Sequence, residues 1–155
     1  MAAYYTYWAS RSFEAAGHGA RAIEGYVRLM GDYGGETDGQ GLPWRNVAFL
    51  RGLDRAVLES DRESVEQVSA LFGPYGEQAF TWGGDNGSRY VSPPGEWVMK
   101  LARARLALAE GNVTKAGELL ERLEAVEGNL LFEGKVVSAP AVLKLLAQRL
   151  KAGDQ

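Results

Sequence analysis

The segment Gly95–Val126, GEWVMKLARARLALAEGNVTKAGELLERLEAV, limits the fold more than any other stretch of the chain. Its spacing predicts two helices folded back on each other at Glu110-Gly111-Asn112. In the first, Trp97, Leu101, Ala104 and Leu108 recur at helical intervals, and Val98, Ala102 and Ala109 widen the stripe past half the circumference. A helix that apolar has to be covered on at least two sides. The second helix is one-sided, with Ala116, Leu119, Leu120, Leu123 and Val126 set against Glu118, Glu121 and Arg122.

The remaining chain is read as the cover. Its 155 residues suit a single domain, 1–155, with room for a core. Tyr4–Ala16 and Ala20–Met30 pair around Gly17-His18-Gly19. Trp44–Glu59 enters behind Pro43, with Phe49, Leu50, Leu53, Ala56 and Val57 on one side and Arg51 and Arg55 opposite. Ser60 and Glu63 spell a capping box for a helix ending at Phe72, and Gly73-Pro74 stops it. Ser138 caps a last helix over residues 139–151. Helix pairs therefore occupy 4–30, 44–72 and 95–127. The expected class is all-α: antiparallel helical hairpins, about seven helices in a stack or bundle.

Two glycine-rich insertions interrupt this pattern. Residues 32–43 are polar and glycine-rich, and a loop too flexible to form structure by itself is expected there. Residues 73–94 carry Tyr75, Phe80, Trp82 and Tyr90. Phe80-Thr81-Trp82 and Arg89-Tyr90-Val91 flank Gly-Gly-Asp-Asn-Gly, so one small β-hairpin is expected. Ser92 is the expected cap of the central helix, with proline in its first turn. Leu130–Val137 reads either as a second small hairpin or as a packed loop.

Composition narrows the chemistry. Net charge is −3, which offers no polycationic surface for nucleic acid or anionic lipid. Arg45, Arg51, Arg55 and Arg62 interleave with Asp54, Glu59, Asp61 and Glu63, so that strip reads as a salt-bridged surface. No apolar run is long enough to span a bilayer, and MAAYYTYWAS lacks the basic lead and aliphatic core of a signal peptide. Cysteine is absent, which fits the expected cytoplasmic location and removes disulfides and thiolate chemistry. The lone histidine, His18, sits in a Gly-His-Gly turn without a local acid or nucleophile, and the reading preferred for it is a solvent-facing turn residue. Asp32, Glu36 and Asp38 crowd one loop but lack calcium-loop spacing. No catalytic residue, metal ligand or cofactor is expected.

The turns AAGHGARAIEGYVRL, LESDRESVEQVSAL and AEGNVTKAGELLERL superimpose, placing Ala22, Val65 and Ala116 five positions after Gly17, Ser60 and Gly111. They resemble the turn and second helix of tetratricopeptide repeats, where a small residue lets two helices approach closely. The intervals exceed that family's roughly 34 residues, the excess falling in the two insertions. Lys100 and Arg103 stand where the family keeps apolar side chains. The resemblance implies a curved stack whose hollow binds a peptide or helix. Tyr4, Tyr7 and Arg11, then Leu50 and Asp54, then Leu101 and Arg105 would line it, and the last helix would serve as a cap.

The function expected is a non-enzymatic protein–protein interaction module, an adaptor, chaperone-like or inhibitor protein. Its partner is another protein, a peptide or a second copy of the chain. The candidate partner-binding residues are Tyr4, Tyr7, Arg11, Trp82, Tyr90 and Arg105. Trp82 and Tyr90 are either exposed anchors or fold back over the helices; folding back is favoured for Phe80 and Trp82. Arg105 lies inside the apolar arc of the central helix. It either grips a partner carboxylate, or snorkels out or pairs with a Glu of a neighbouring helix, the favoured reading. The alternative function is a small-molecule-binding helical domain, enzymatic or not, with a pocket of Tyr4, Trp8, Trp82, Tyr90 and Arg105.

Overall fold

Helical periodicity is realised along most of the chain. The computed structural model describes residues 1–153, and its order is α1 (Ala2–Ala15), α2 (Gly19–Tyr33), α3 (Trp44–Leu58), α4 (Arg62–Phe72), β1 (Phe80–Gly83), β2 (Arg89–Ser92), α5 (Gly95–Ala109), α6 (Val113–Glu121), β3 (Asn129–Phe132), β4 (Lys135–Ser138) and α7 (Ala139–Gly153). A 3-10 turn, Gly73–Tyr75, follows α4. Consecutive helices α1 to α4 pack side by side, and α5 lies against α3 and α4. The body is helical as expected, but it carries two small hairpins, since Leu130–Val137 is strand rather than packed loop. Trp82 pairs with Tyr90 across the first hairpin, and Leu131 with Val136 across the second.

The segment beginning at Trp97 is an interior rod. Trp97, Val98, Leu101, Ala102 and Ala104 are buried as the spacing requires, and Met99 and Leu106 join them. The Trp97 indole N–H donates to the Glu124 carbonyl at 2.9 Å, so its one polar atom is satisfied. α3 is enclosed still further, with polar as well as apolar positions buried. Phe49 of α3 stacks on Phe72 of α4 with ring centroids 4.0 Å apart.

Three turns share one hydrogen-bond pattern. His18 N donates to Phe13 O, Asp61 N to Ala56 O and Asn112 N to Ala107 O, at 2.8, 2.9 and 2.9 Å. The residue before each donor, Gly17, Ser60 or Gly111, is left-handed, with φ of 81°, 53° and 79°. This is the glycine-type ending that satisfies the last carbonyls of a helix. Ala22, Val65 and Ala116 are wholly enclosed at the helix crossings that follow.

Several local expectations are overturned. Ser60 belongs to the end of α3, so the capping box does not form. Asp61 caps α4 instead, accepting from Ser64 N at 3.0 Å. Ser92 does not cap α5. Its hydroxyl is buried without a hydrogen-bond partner among the described residues, and Pro94 holds the cap position. The 32–43 loop is ordered by the Asp38 carboxylate, which accepts from Gln40 N and Leu42 N at 2.8 and 3.0 Å. Arg51 does not lie on a wet face. It is buried, because a hairpin covers that side of α3.

Both hairpins fold onto the helices that the repeat resemblance assigns to an open hollow. The β1–β2 turn reaches α1 and α3 through Asp85. The β3–β4 turn reaches α3 through the amides of Glu133 and Gly134. Leu50, Asp54, Leu101 and Arg105 are consequently interior rather than lining a hollow.

Candidate functional site

An open aromatic face lies at the beginning of α1. YYTYW places four large aromatics within two helical turns, and one helix side cannot bury them all. Tyr7 turns inward, its ring 5.1 Å from Trp44 and 5.2 Å from Trp8. Tyr4, Tyr5 and Trp8 stay outside, 52%, 62% and 39% exposed. They meet edge to face, Tyr4 with Tyr5 at 5.7 Å and with Trp8 at 6.4 Å. A cleft of about 170 Å³ opens beside them, walled by Tyr4, Trp8 and Trp44 and floored by Gly39, Gly83 and Gly84.

Charge fastens this face from behind. Asp85, in the β1–β2 turn, accepts a hydrogen bond from the Tyr7 hydroxyl. It also accepts from Arg11 Nε and Nη2 at 2.8 and 2.7 Å, and Arg51 Nη2 lies 3.3 Å away. Arg51 Nε in turn donates to the Tyr7 hydroxyl at 2.9 Å. Partial burial works against the Asp85 charge, but the Tyr7 hydroxyl, Arg51 and Arg11 outweigh it and hold the carboxyl below its ordinary range. Burial pushes the Tyr7 phenol well up, so it acts as a neutral donor. Burial and the Glu14 carboxylate do the same to Tyr26, which donates to Glu14. Asp85 reads in sequence only as turn chemistry, and nothing local to it points to α1.

The other predicted residues lie elsewhere. Trp82 has no exposed surface, so it is no direct anchor; its indole donates to the Asn129 carbonyl at 3.0 Å, tying the two hairpins together. Tyr90 leans on Trp82 at 4.9 Å, half-buried. Arg105 is paired within the fold, as favoured, but its partner is Asp54 of α3 at 2.7 Å and not a Glu. It lines a separate cavity beside Phe132. The pocket expected from Tyr4, Trp8, Trp82, Tyr90 and Arg105 is therefore not assembled, because Trp82 is sealed inside and Arg105 serves the second hairpin.

His18 is exposed at the α1–α2 turn, edge-on to Phe13. Among the described residues, no group of three or more His, Asp or Glu side chains could hold a metal ion, and no helix is long and apolar enough to cross a membrane. Comparison of the chain with protein-family models, curated proteins and solved structures returns no match in any of the three.

Proposed function

We propose that the chain is a non-catalytic interaction module that engages a protein or peptide on the α1 face. One observation carries this reading: Tyr4, Tyr5 and Trp8 stand exposed side by side on a helix whose next turns are pinned by Arg11 and Asp85. Rigid exposed aromatics bind with little loss of side-chain freedom, and Tyr and Trp are enriched among the few residues that dominate interface energies. Tyr7 and Arg11 act from behind, holding the helix against the hairpin. The three matching turns support a kinship with tetratricopeptide repeats in how the helices are joined, with docking moved from the covered hollow to the end of the stack.

The test compares the wild-type chain with a Tyr4→Ser/Trp8→Ser variant, in pull-down from the native host and in size-exclusion chromatography. Both substituted residues are exposed, so the fold should be retained. A partner, or self-association, seen with the wild type and lost with the variant supports the reading. A wild-type chain that stays monomeric and retains nothing, or a partner held equally by the variant, overturns it.

A further inference from the structure

The Arg105 cavity carries an inference independent of the α1 face. It encloses about 310 Å³ between α3, α5, α7 and the second hairpin, with Val57, Leu58, Leu108, Phe132 and Leu146 supplying its apolar wall. The Arg105 side chain is only 6% exposed, and so is that of Asp54. Asp54 is engaged through both oxygens. One oxygen accepts from Arg105 Nη2 at 2.7 Å and Glu133 N at 2.9 Å, and the other from Gly134 N at 2.9 Å.

Arg105 is not fully engaged. Its hydrogen bond is the one from Nη2, and its plane lies over Phe132 at 4.6 Å. A guanidinium has further N–H donors in a fixed fork. They are not among the buried polar atoms left without a partner, which are the hydroxyls of Ser69 and Ser92 alone among the described residues. Those donors are therefore not sealed from solvent, and Arg105 is part of the cavity lining. Arg149 sits at the mouth, held by Glu133 at 2.6 Å.

We infer that this cavity binds a carboxylate on a short aliphatic chain, with the carboxylate on the free edge of Arg105 and the chain against Val57, Leu108 and Leu146. A planar carboxylate matches the guanidinium fork. A more highly charged anion such as phosphate would want a second free cation, and Arg149 is committed to Glu133. The same chemistry is presented by a free aliphatic acid and by the C-terminal residue of a peptide.

The experiment titrates the full chain with octanoate, N-acetyl-leucine and N-acetyl-leucinamide, followed by amide NMR shifts and calorimetry. The carboxylates should bind at least about tenfold more tightly than the amide, since a charge-assisted bond is lost. The shifted amides should include Glu133, Gly134 and Leu108. Arg105→Met removes the fork, and Leu58→Glu places a like charge at the rim on a side chain already 41% exposed. Each should weaken the carboxylates about tenfold and the amide by much less. Leu58→Glu decides the matter if Arg105→Met fails to fold. Tighter binding of octanoate assigns the site to free acids, and tighter binding of N-acetyl-leucine to chain termini; either supports it. Equal affinity for acid and amide, shifts confined to other regions, binding unchanged by Leu58→Glu, or no binding at millimolar concentration overturns it.

Discussion

Removing Asp54 should damage the protein more than removing its partner. Asp54→Ala removes the carboxylate that the Arg105 guanidinium bonds, and leaves a largely buried charge, 6% exposed, over the face of Phe132. Breaking a buried ion pair in this way costs about 3–5 kcal/mol. The amides of Glu133 and Gly134 also lose their acceptor, but both residues are exposed and water can replace it. Arg105→Met is milder. The Asp54 carboxylate keeps two backbone donors, the methionine fills part of the space, and the loss should be about 1–2 kcal/mol. The double variant should recover part of the Asp54→Ala loss, because no charge is then left stranded. Urea unfolding of the four proteins measures this, with thermal midpoints as a check at about 2–4 °C per kcal/mol for a chain of this size. An Asp54→Ala loss below about 1 kcal/mol, or an Arg105→Met loss larger than that of Asp54→Ala, would refute the account of this pair.

The acid limb of stability should depend on Asp85. Its carboxyl is held low in the folded state, so its contribution is complete above the ordinary carboxylate value and is lost as pH falls through the folded value. Melting temperatures taken from about pH 6 downward should fall below about pH 4, and Asp85→Asn should start lower and fall less; parallel profiles would contradict this. Ser60→Gly should stabilise by about 0.5–1 kcal/mol, since φ of 53° strains a residue with a Cβ and the equivalent positions are Gly17 and Gly111. A neutral or negative change in urea midpoint would count against the shared turn. Trp44, Trp82 and Trp97 are buried while Trp8 is exposed. Iodide should therefore quench a minor part of the tryptophan emission, and Trp8→Phe should abolish that part.

What periodicity reveals is which residues turn toward a neighbouring helix. It locates the apolar rod of α5, the three helix pairs and the first hairpin, because each is set by intervals of a few residues. It does not reveal what lies on the far side of a helix. By spacing alone Arg51 is the wet face of α3, and it becomes interior only because a turn more than thirty positions later folds over it. The capping box fails for a related reason. Ser60 and Glu63 have the right spelling, but the close approach of α3 and α4 needs a left-handed residue at Ser60, and Asp61 is left to take the cap. The exposed half of the site is legible, since four aromatics in one short stretch cannot all face inward. The fastening half, Asp85 with Arg51, is a matter of long-range chain geometry. Arg105 stands between these cases: its position inside an apolar arc demands an acid, and only the fold says which.

The grip of Asp85 on Arg11 and Tyr7 makes the aromatic face a joint property of two distant stretches. An excised α1 peptide would carry every exposed ring and still lack the wall that sets their angle. Lengthening the turn at Asn86-Gly87 would slacken that face without touching one of its aromatics. The cheapest way to silence such a surface is to loosen its hinge, and selection or an engineer could tune it from the hairpin alone.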